Sequence, residues 1–161
     1  LVKKGTLRRL ARGLYCYPRL DPELGPLSPT IDDIAKALKG RDNIRIQPSG
    51  GYAANILGLS DQVPVKVVFL TDGPGRRVQV GKQVIVFKHT TPKSMATTGR
   101  VSGLVIQALR YIGRKHVDRS LSSRLRKRLS EDDKKQLIQD IPYAPAWIAQ
   151  EMRQITKQGD V

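Results

Sequence analysis

The sequence is poor in the residues that build disulfides, metal sites and aromatic surfaces. A single cysteine, Cys16, allows no internal disulfide bond, which is typical of a protein in a reducing cytoplasm. Cys16 is far in sequence from the two histidines, His89 and His116, so no zinc-ligand spacing occurs. Aromatic residues make up 5% of the chain, and no apolar run approaches the roughly 20 residues of a membrane span. We expect a cytoplasmic protein with no metal, no cofactor and no membrane partner.

Acidic residues are also scarce. The 161 residues include 29 lysines and arginines but only 14 aspartates and glutamates, which gives a net charge of +15. A small domain needs a net charge of only roughly 2–8 to stay soluble. The excess therefore predicts a polyanionic partner, and nucleic acid in the first place. The hydrophobic fraction of 39% is typical of a folded chain, long enough for one core with or without a small appendage.

No motif in the sequence indicates catalysis. We find no spacing of an acid–base pair or of a nucleophile with its base. The stretch from Gly75 to Lys82 is not a phosphate-binding loop, because five residues rather than four separate Gly75 from Gly81, and Gln83 replaces the magnesium-binding Ser or Thr. A nuclease would need a carboxylate cluster beside a strand lysine, and none stands out. We predict that the protein is not an enzyme.

The first 18 residues carry five cations and no carboxylate. Residues 14–17 have strand-forming side chains and stop at Pro18, so with the basic run before them they predict a β-hairpin. A basic hairpin after an apparent helix end at Gly5 is typical of the wing of a winged helix-turn-helix. Because the recognition helices would precede Leu1, we expect further residues upstream. The predicted DNA-contacting residues are Lys3, Lys4, Thr6, Arg8, Arg9, Arg12 and Tyr15.

Residues 1–15, LVKKGTLRRLARGLY, resemble the helix-to-wing segment of AbiEi-like antitoxins of type IV toxin–antitoxin and abortive-infection operons. The likeness continues, in order, through residues 47–59 (QPSGGYAANILGL), 67–73 (VVFLTDG) and 107–110 (QALR). The resemblance implies a DNA-binding autorepressor that binds the operator of its own operon. It also implies an antitoxin that counteracts a nucleotidyltransferase-like toxin.

The sequence predicts an α+β fold in three parts. Residues 1–20 would be the remnant of the winged helix-turn-helix, residues 21–29 a proline-rich irregular linker, and residues 30–161 a mixed antitoxin domain with a small sheet and a helical carboxyl-terminal region. Thr30 with Asp33 predicts a capping box for a helix that Gly40 ends. Strands are predicted at 43–47, 65–71 (central in the sheet) and, as a hairpin, at 77–80 and 83–88. Further helices are predicted from Ser49, at 101–112, 118–129 and 131–140, and from Pro145.

A second basic cluster lies in the carboxyl-terminal half. It could be an extended surface for DNA backbone, tRNA or an acidic toxin face, or simply a solvated helix face. An RNA-binding or ribosome-associated protein remains the alternative function, and it requires basic residues interleaved with exposed aromatic ones. The residues of the cluster are Arg110, Arg114, Lys115, Arg119, Arg124, Arg126, Lys127 and Arg128.

Overall fold

The structure is a computed structural model that describes the strands at residues 8–11, 14–16, 19–21 and 25–27, and residues 30–62 and 64–157. Side chains are described from Thr30 onward, apart from those of residues 41 and 42. Helices and strands are mixed along the chain, which confirms the α+β class. None of the helices in the described ranges is both long enough and apolar enough to cross a membrane.

The amino-terminal hairpin is present as predicted. Strands β1 (Arg8–Ala11) and β2 (Leu14–Cys16) are antiparallel, Arg9 lies opposite Tyr15, and the register shifts between Arg9 and Ala11. Strand β1 also lies beside one edge of the main sheet. The helix end expected at residues 1–5 lies outside the described residues, so the winged helix-turn-helix stays a prediction.

A second short hairpin follows, where the sequence predicts an irregular linker at 21–29. Strands β3 (Arg19–Asp21) and β4 (Gly25–Leu27) are antiparallel, with Leu20 opposite Pro26. The prediction of an irregular stretch is therefore wrong at these residues. A proline fits here because each strand of a two-stranded hairpin has an unpaired side, where the missing N–H is not needed.

Helix α1 (Ile31–Asp42) begins with the predicted capping box. The Thr30 hydroxyl accepts from the Asp33 amide at 3.1 Å, and the Asp33 carboxylate accepts from the Thr30 amide at 3.2 Å. The helix does not end at Gly40 but continues to Asp42, and Asn43 caps it with a left-handed φ of 50°. Gly40 lacks that positive φ, and asparagine is among the non-glycine residues that adopt it most readily.

The main sheet has four strands in the order β5-β6-β8-β7. The β6–β8 pair is parallel and the other two pairs are antiparallel. Strand β6 therefore lies inside the sheet, as predicted. Strand β8 lies between β6 and β7, and β7 and β8 form the predicted hairpin. The strands are β5 (Ile46–Ser49), β6 (Lys66–Thr71), β7 (Arg76–Val80) and β8 (Gln83–His89).

Strand β5 begins three residues later than the predicted 43–47. The Arg45 amide and the Arg45 Nε both donate to the Asp72 carboxylate, at 2.8 and 3.0 Å. The two hydrogen bonds that Arg45 donates lower the pKa of Asp72, and the one from the backbone amide is the larger cause. Because the Asp72 side chain, just after the end of β6, binds Arg45, the backbone pairing of β5 with β6 starts only at Ile46.

The two faces of the sheet have different neighbours, because successive side chains of a strand point to opposite sides. On one face Val67, Phe69 and Phe87 pack against Ile34 and Leu38 of α1. The Phe69 and Phe87 rings are stacked at 5.4 Å. The helices after α1 form a second core, and two of them contact strand β5 of the sheet. The fully buried members of this core include Leu109, Leu125, Leu137, Ile148, Met152 and Ile155.

The helical region follows the predicted boundaries within one or two residues. Asp118 caps α4 through the Leu121 amide at 2.9 Å, and Ser130 with Asp133 forms the predicted capping box of α5. An ion pair joins the start of α3 to the end of α5: Nη1 of the partly exposed Arg100 is 2.7 Å from the Asp140 carboxylate, whose side chain is 2% exposed. The helices are α2 (Gly50–Ile56), α3 (Val101–Ile112), α4 (Arg119–Arg128), α5 (Glu131–Asp140) and α6 (Ala146–Thr156).

Candidate nucleic-acid interface

The amino-terminal part of the predicted interface is described only in its backbone. Arg8 and Arg9 lie on β1, and Tyr15 lies opposite Arg9 on β2. The remaining predicted residues, Lys3, Lys4, Thr6 and Arg12, lie outside the described residues. The strands thus hold two of the five amino-terminal cations on one short hairpin, next to the edge of the main sheet.

Five residues of the second basic cluster form what we call the α4 basic surface. They lie in the 3-10 turn Arg114–His116 and on α4, and all five are exposed. Within the described ranges, none of the five makes an ion pair with a carboxylate. The α4 basic surface consists of Arg114, Lys115, Arg119, Arg124 and Lys127.

Two other members of the predicted cluster hold the fold together. Arg126 is half-buried and donates to the last carbonyls of α6, from Nη2 to Gln154 O at 2.7 Å and from Nε to Ile155 O at 3.3 Å. Arg128 Nη2 donates to the Ile56 carbonyl at the end of α2 at 3.5 Å. These carbonyls have no partner within their own helices, so the two arginines cap α6 and α2.

Arg110, the first member of the cluster, lies apart from the α4 surface and lines a pocket between the sheet and α3. This basic pocket has a volume of about 290 Å³. The sheet supplies Ser49, Leu70 and Lys88, which lie on the face turned away from α1, and α3 supplies Ile106 and Gln107 beside Arg110. The segment after β8 forms a third wall with Thr90, Lys93, Ser94 and Thr97, and Tyr143 lies at the rim.

Three cations and several hydroxyl groups, but no carboxylate, line the basic pocket. Lys88 comes from β8, Lys93 from the 3-10 turn Pro92–Met95, and Arg110 from the last turn of α3. In the described part of the chain, no acidic side chain pairs with any of the three. The pocket is therefore electropositive, and its polar groups suit an anion.

A hydrogen bond joins two of the residues that line the pocket, Ser49 and Gln107. Ser49 precedes α2 but does not cap it through its side chain; instead its hydroxyl bonds to Gln107 Oε1 at 3.1 Å. This bond joins β5 to α3. Deeper in the same contact, the buried Gln47 side chain approaches Gly103, which has no Cβ to block it.

Sequence reasoning found Arg110 but missed its partners in the pocket. Lys88 and Lys93 are isolated lysines in the sequence, and nothing in their neighbours sets them apart from other surface lysines. They meet Arg110 only because β8 lies in the middle of the sheet, where its end faces α3. The spacing of cations along one helix is visible in a sequence, whereas this convergence of three elements is not.

The described residues contain no group of three or more metal-binding side chains. His89 lies at the end of β8, where its Nδ1 is 2.8 Å from the Gly73 carbonyl. The pocket offers positive charge and hydrogen-bond donors, and both are suited to binding an anion.

Comparison with curated proteins and with solved structures gave no significant match. Residues 1–137 match a protein family, and this range includes both hairpins, the whole sheet, the basic pocket except Tyr143, and the α4 basic surface. The match covers well over half of the chain. The chain therefore belongs to DUF6088, a family of unknown function.

Proposed function

We propose that this protein binds double-stranded DNA in the cytoplasm, represses its own operon and acts as the antitoxin of a type IV toxin–antitoxin pair. The observation that carries the DNA-binding part is the α4 basic surface. Its five exposed cations lie within 14 residues of chain that include one acidic residue, Asp118, and among the described residues none of the five forms an ion pair with a carboxylate. Like charges at this density repel one another, and a polyanion relieves that repulsion as its counterions are released.

The β1–β2 hairpin supports the same proposal from the other end of the chain. Its strands carry Arg8 and Arg9, and a hairpin with cations is a common way to contact the DNA backbone beside a recognition helix. The antitoxin part of the proposal rests on the resemblance to AbiEi-like antitoxins alone. It implies a nucleotidyltransferase-like toxin as the partner.

The test is a titration of fluorescent duplexes with the purified full-length protein at several salt concentrations. One duplex comes from the region upstream of the gene and the other is its scrambled counterpart. Each lost phosphate contact lowers the magnitude of the slope of log K against log salt by about 0.9. We expect the triple variant Arg119→Gln, Arg124→Gln, Lys127→Gln to flatten the slope by up to about three units. The double variant Arg8→Ala, Arg9→Ala should flatten it by up to about two.

A charge-matched control separates the effect of lost phosphate contacts from the effect of a lower net charge. Lys39, Lys66 and Lys82 are exposed on α1, at the start of β6 and in the β7–β8 turn, and none of them belongs to the α4 basic surface. Their replacement by glutamine removes the same charge as the triple variant and should leave the slope nearly unchanged. Equal losses in the two triple variants would contradict the proposed interface, and no binding to either duplex would contradict DNA binding altogether.

One observation favours RNA as a second candidate. Tyr111 is 62% exposed and directly follows Arg110, and Tyr143 is 49% exposed at the rim of the basic pocket. Exposed rings among cations are what single-stranded RNA requires for stacking. A single-stranded RNA of the same length belongs in the same titration, together with the variant Tyr111→Leu. Tighter binding of RNA than of the upstream duplex, lost in that variant, would select this candidate.

A further inference from the structure

We propose that the basic pocket is a binding site for a phosphomonoester on a ligand of about the size of a mononucleotide, distinct from the α4 basic surface. This site does not depend on the function proposed above. Three features of the pocket lead to it: the sign of its charge, the supply of hydrogen-bond donors and its size.

The charge of the pocket comes from three elements that are separate in sequence. Lys88, Lys93 and Arg110 approach one cavity from β8, from the 3-10 turn and from α3. No carboxylate lines the pocket, and within the described ranges none of the three cations forms an ion pair. Cations brought together in this way repel one another unless an anion lies between them. A phosphate group can accept from an arginine fork and from two lysines at once.

The hydroxyl groups of the pocket complete a donor set for phosphate oxygens. Thr97 is 6% exposed, yet it lines the cavity, and among the described residues no hydrogen bond reaches its hydroxyl. Thr90 and Ser94 line the same wall. Hydroxyls can turn their O–H toward an incoming acceptor. Thr97 therefore combines a buried position with a place in the cavity lining, where a hydroxyl can donate to a phosphate oxygen.

The volume sets the size of the ligand. Small-molecule sites begin at about 300 Å³, and the basic pocket, at about 290 Å³, reaches this limit. A bare phosphate ion would leave most of the cavity empty. A sugar and a base attached to the phosphate would fill it, and the half-exposed Tyr143 at the rim offers a ring for stacking. The chemistry is shared by free nucleotides and by the phosphorylated end of a nucleic-acid strand.

Calorimetric titration of the full-length protein at constant ionic strength tests the proposal. The probes are adenosine 5′-monophosphate, guanosine 5′-monophosphate, adenosine, inorganic phosphate, and a short oligonucleotide with either a 5′-phosphate or a 5′-hydroxyl. We expect at least one nucleoside monophosphate to bind at least tenfold more tightly than adenosine. The oligonucleotide pair identifies the source: tighter binding of the 5′-phosphate form than of the 5′-hydroxyl form indicates a strand end, and equal binding of the two forms, with tight binding of a free monophosphate, indicates a nucleotide.

Variants locate the site. A hydrogen bond to a charged group contributes enough that its loss weakens binding about tenfold or more, so Arg110→Gln and Lys88→Gln should each weaken nucleotide binding by about that factor. Thr97→Val keeps the shape of the side chain without the hydroxyl and should also weaken binding. The control Arg114→Gln removes one charge outside the pocket and should change the affinity less than twofold.

Three results would overturn the proposal. They are equal binding of adenosine and its monophosphate, an equal loss in Arg114→Gln and Arg110→Gln, and no binding of any phosphorylated probe. Circular dichroism of each variant confirms that it is folded. The DNA binding of the Arg110→Gln variant is measured as well. Because the α4 basic surface is intact in that variant, its DNA binding should be retained even where its nucleotide binding is lost.

Discussion

At the scale of single residues, Gly103 marks a close approach between the sheet and α3. A Cβ at this position would lie 2.5 Å from Gln47 Oε1 and 2.7 Å from the Thr97 carbonyl. The carbonyl belongs to the backbone and cannot turn away. We expect Gly103→Ala to lower the free energy of unfolding by about 1–3 kcal/mol, measured by urea denaturation.

Gly40 is the matched control for this substitution. It lies within α1 with no atom near the position of a Cβ, and its φ is not positive. Gly40→Ala should raise the free energy of unfolding by about 0.5–1 kcal/mol, because alanine loses less backbone entropy in a helix. If both substitutions had the same sign, the close approach at Gly103 would not be the cause of the first effect.

The Arg45–Asp72 contact makes part of the stability depend on pH. The pKa of Asp72 is lower in the folded chain than its ordinary value of 3.8, first because of the Arg45 backbone amide and then because of its side chain. The carboxylate therefore stabilises the fold fully above pH 3.8 and loses this contribution as the pH falls through the lowered pKa.

We expect Asp72→Asn to lower the free energy of unfolding at pH 7 and to have a smaller effect at pH 3. Urea denaturation at both pH values measures this difference. Asp61→Asn is the control for loss of a negative charge in a chain of +15, because Asp61 is exposed in a loop. A loss at pH 7 no larger than that of the control would show that the two hydrogen bonds do not contribute.

At the scale of elements, the Arg100–Asp140 pair joins α3 to α5. Asp140 is buried, and Gln136 Nε2 donates to its other oxygen at 3.0 Å. Arg100→Met would leave a buried carboxylate without its cation. We expect the free energy of unfolding to fall by about 1–3 kcal/mol, since Arg100 is partly exposed and water replaces part of the loss.

Arg124→Met on the exposed side of α4 is the control and should change stability by less than about 0.5 kcal/mol. Adding Asp140→Leu to Arg100→Met should recover part of the loss, because it removes the unpaired charge. A double variant that is less stable than Arg100→Met alone would contradict this account.

The start of a helix was predictable from the sequence where it depends on a contact between the capping residue and the residue three positions later. Thr30 with Asp33 and Ser130 with Asp133 mark the first turns of α1 and α5, because both partners of each capping box lie within one helical turn. The start of β5 was not predictable, because it depends on Asp72, 27 residues after Arg45. Local patterns contain no information on such a partner.

At the scale of the whole molecule, residues from Ile31 to Ile155 form two hydrophobic cores. We therefore expect a fragment from Thr30 to Val161 to fold, as measured by circular dichroism and cooperative urea unfolding. Under the proposed function, it should rescue growth against the partner toxin without repressing a reporter of the operon. The full chain is the control and should do both. An unfolded fragment would mean that the amino-terminal hairpins are part of the domain.

The basic pocket shows the limit of sequence reasoning at this scale. The net charge of +15 predicts an anionic partner, and the spacing on α4 predicts a surface. Neither indicates that Lys88, Lys93 and Arg110 line one cavity, since this depends on the strand order and on the packing of α3 against β5. In the structure Arg126 and Arg128 cap helices. The sequence did not predict this role, because both residues lie in a run of basic residues.

The order of the strands has a consequence for how partners can attach. The edges of the sheet are β5 and β7, and a foreign strand could extend the sheet only there. Pro48 lies in β5 and lacks an amide hydrogen, whereas β7 begins with two arginines and has β1 beside it. Prolines, charges and covering segments are what proteins use to prevent strand addition. Neither edge is thus suited to recruit another chain by backbone pairing, and association with a protein partner is left to side-chain surfaces.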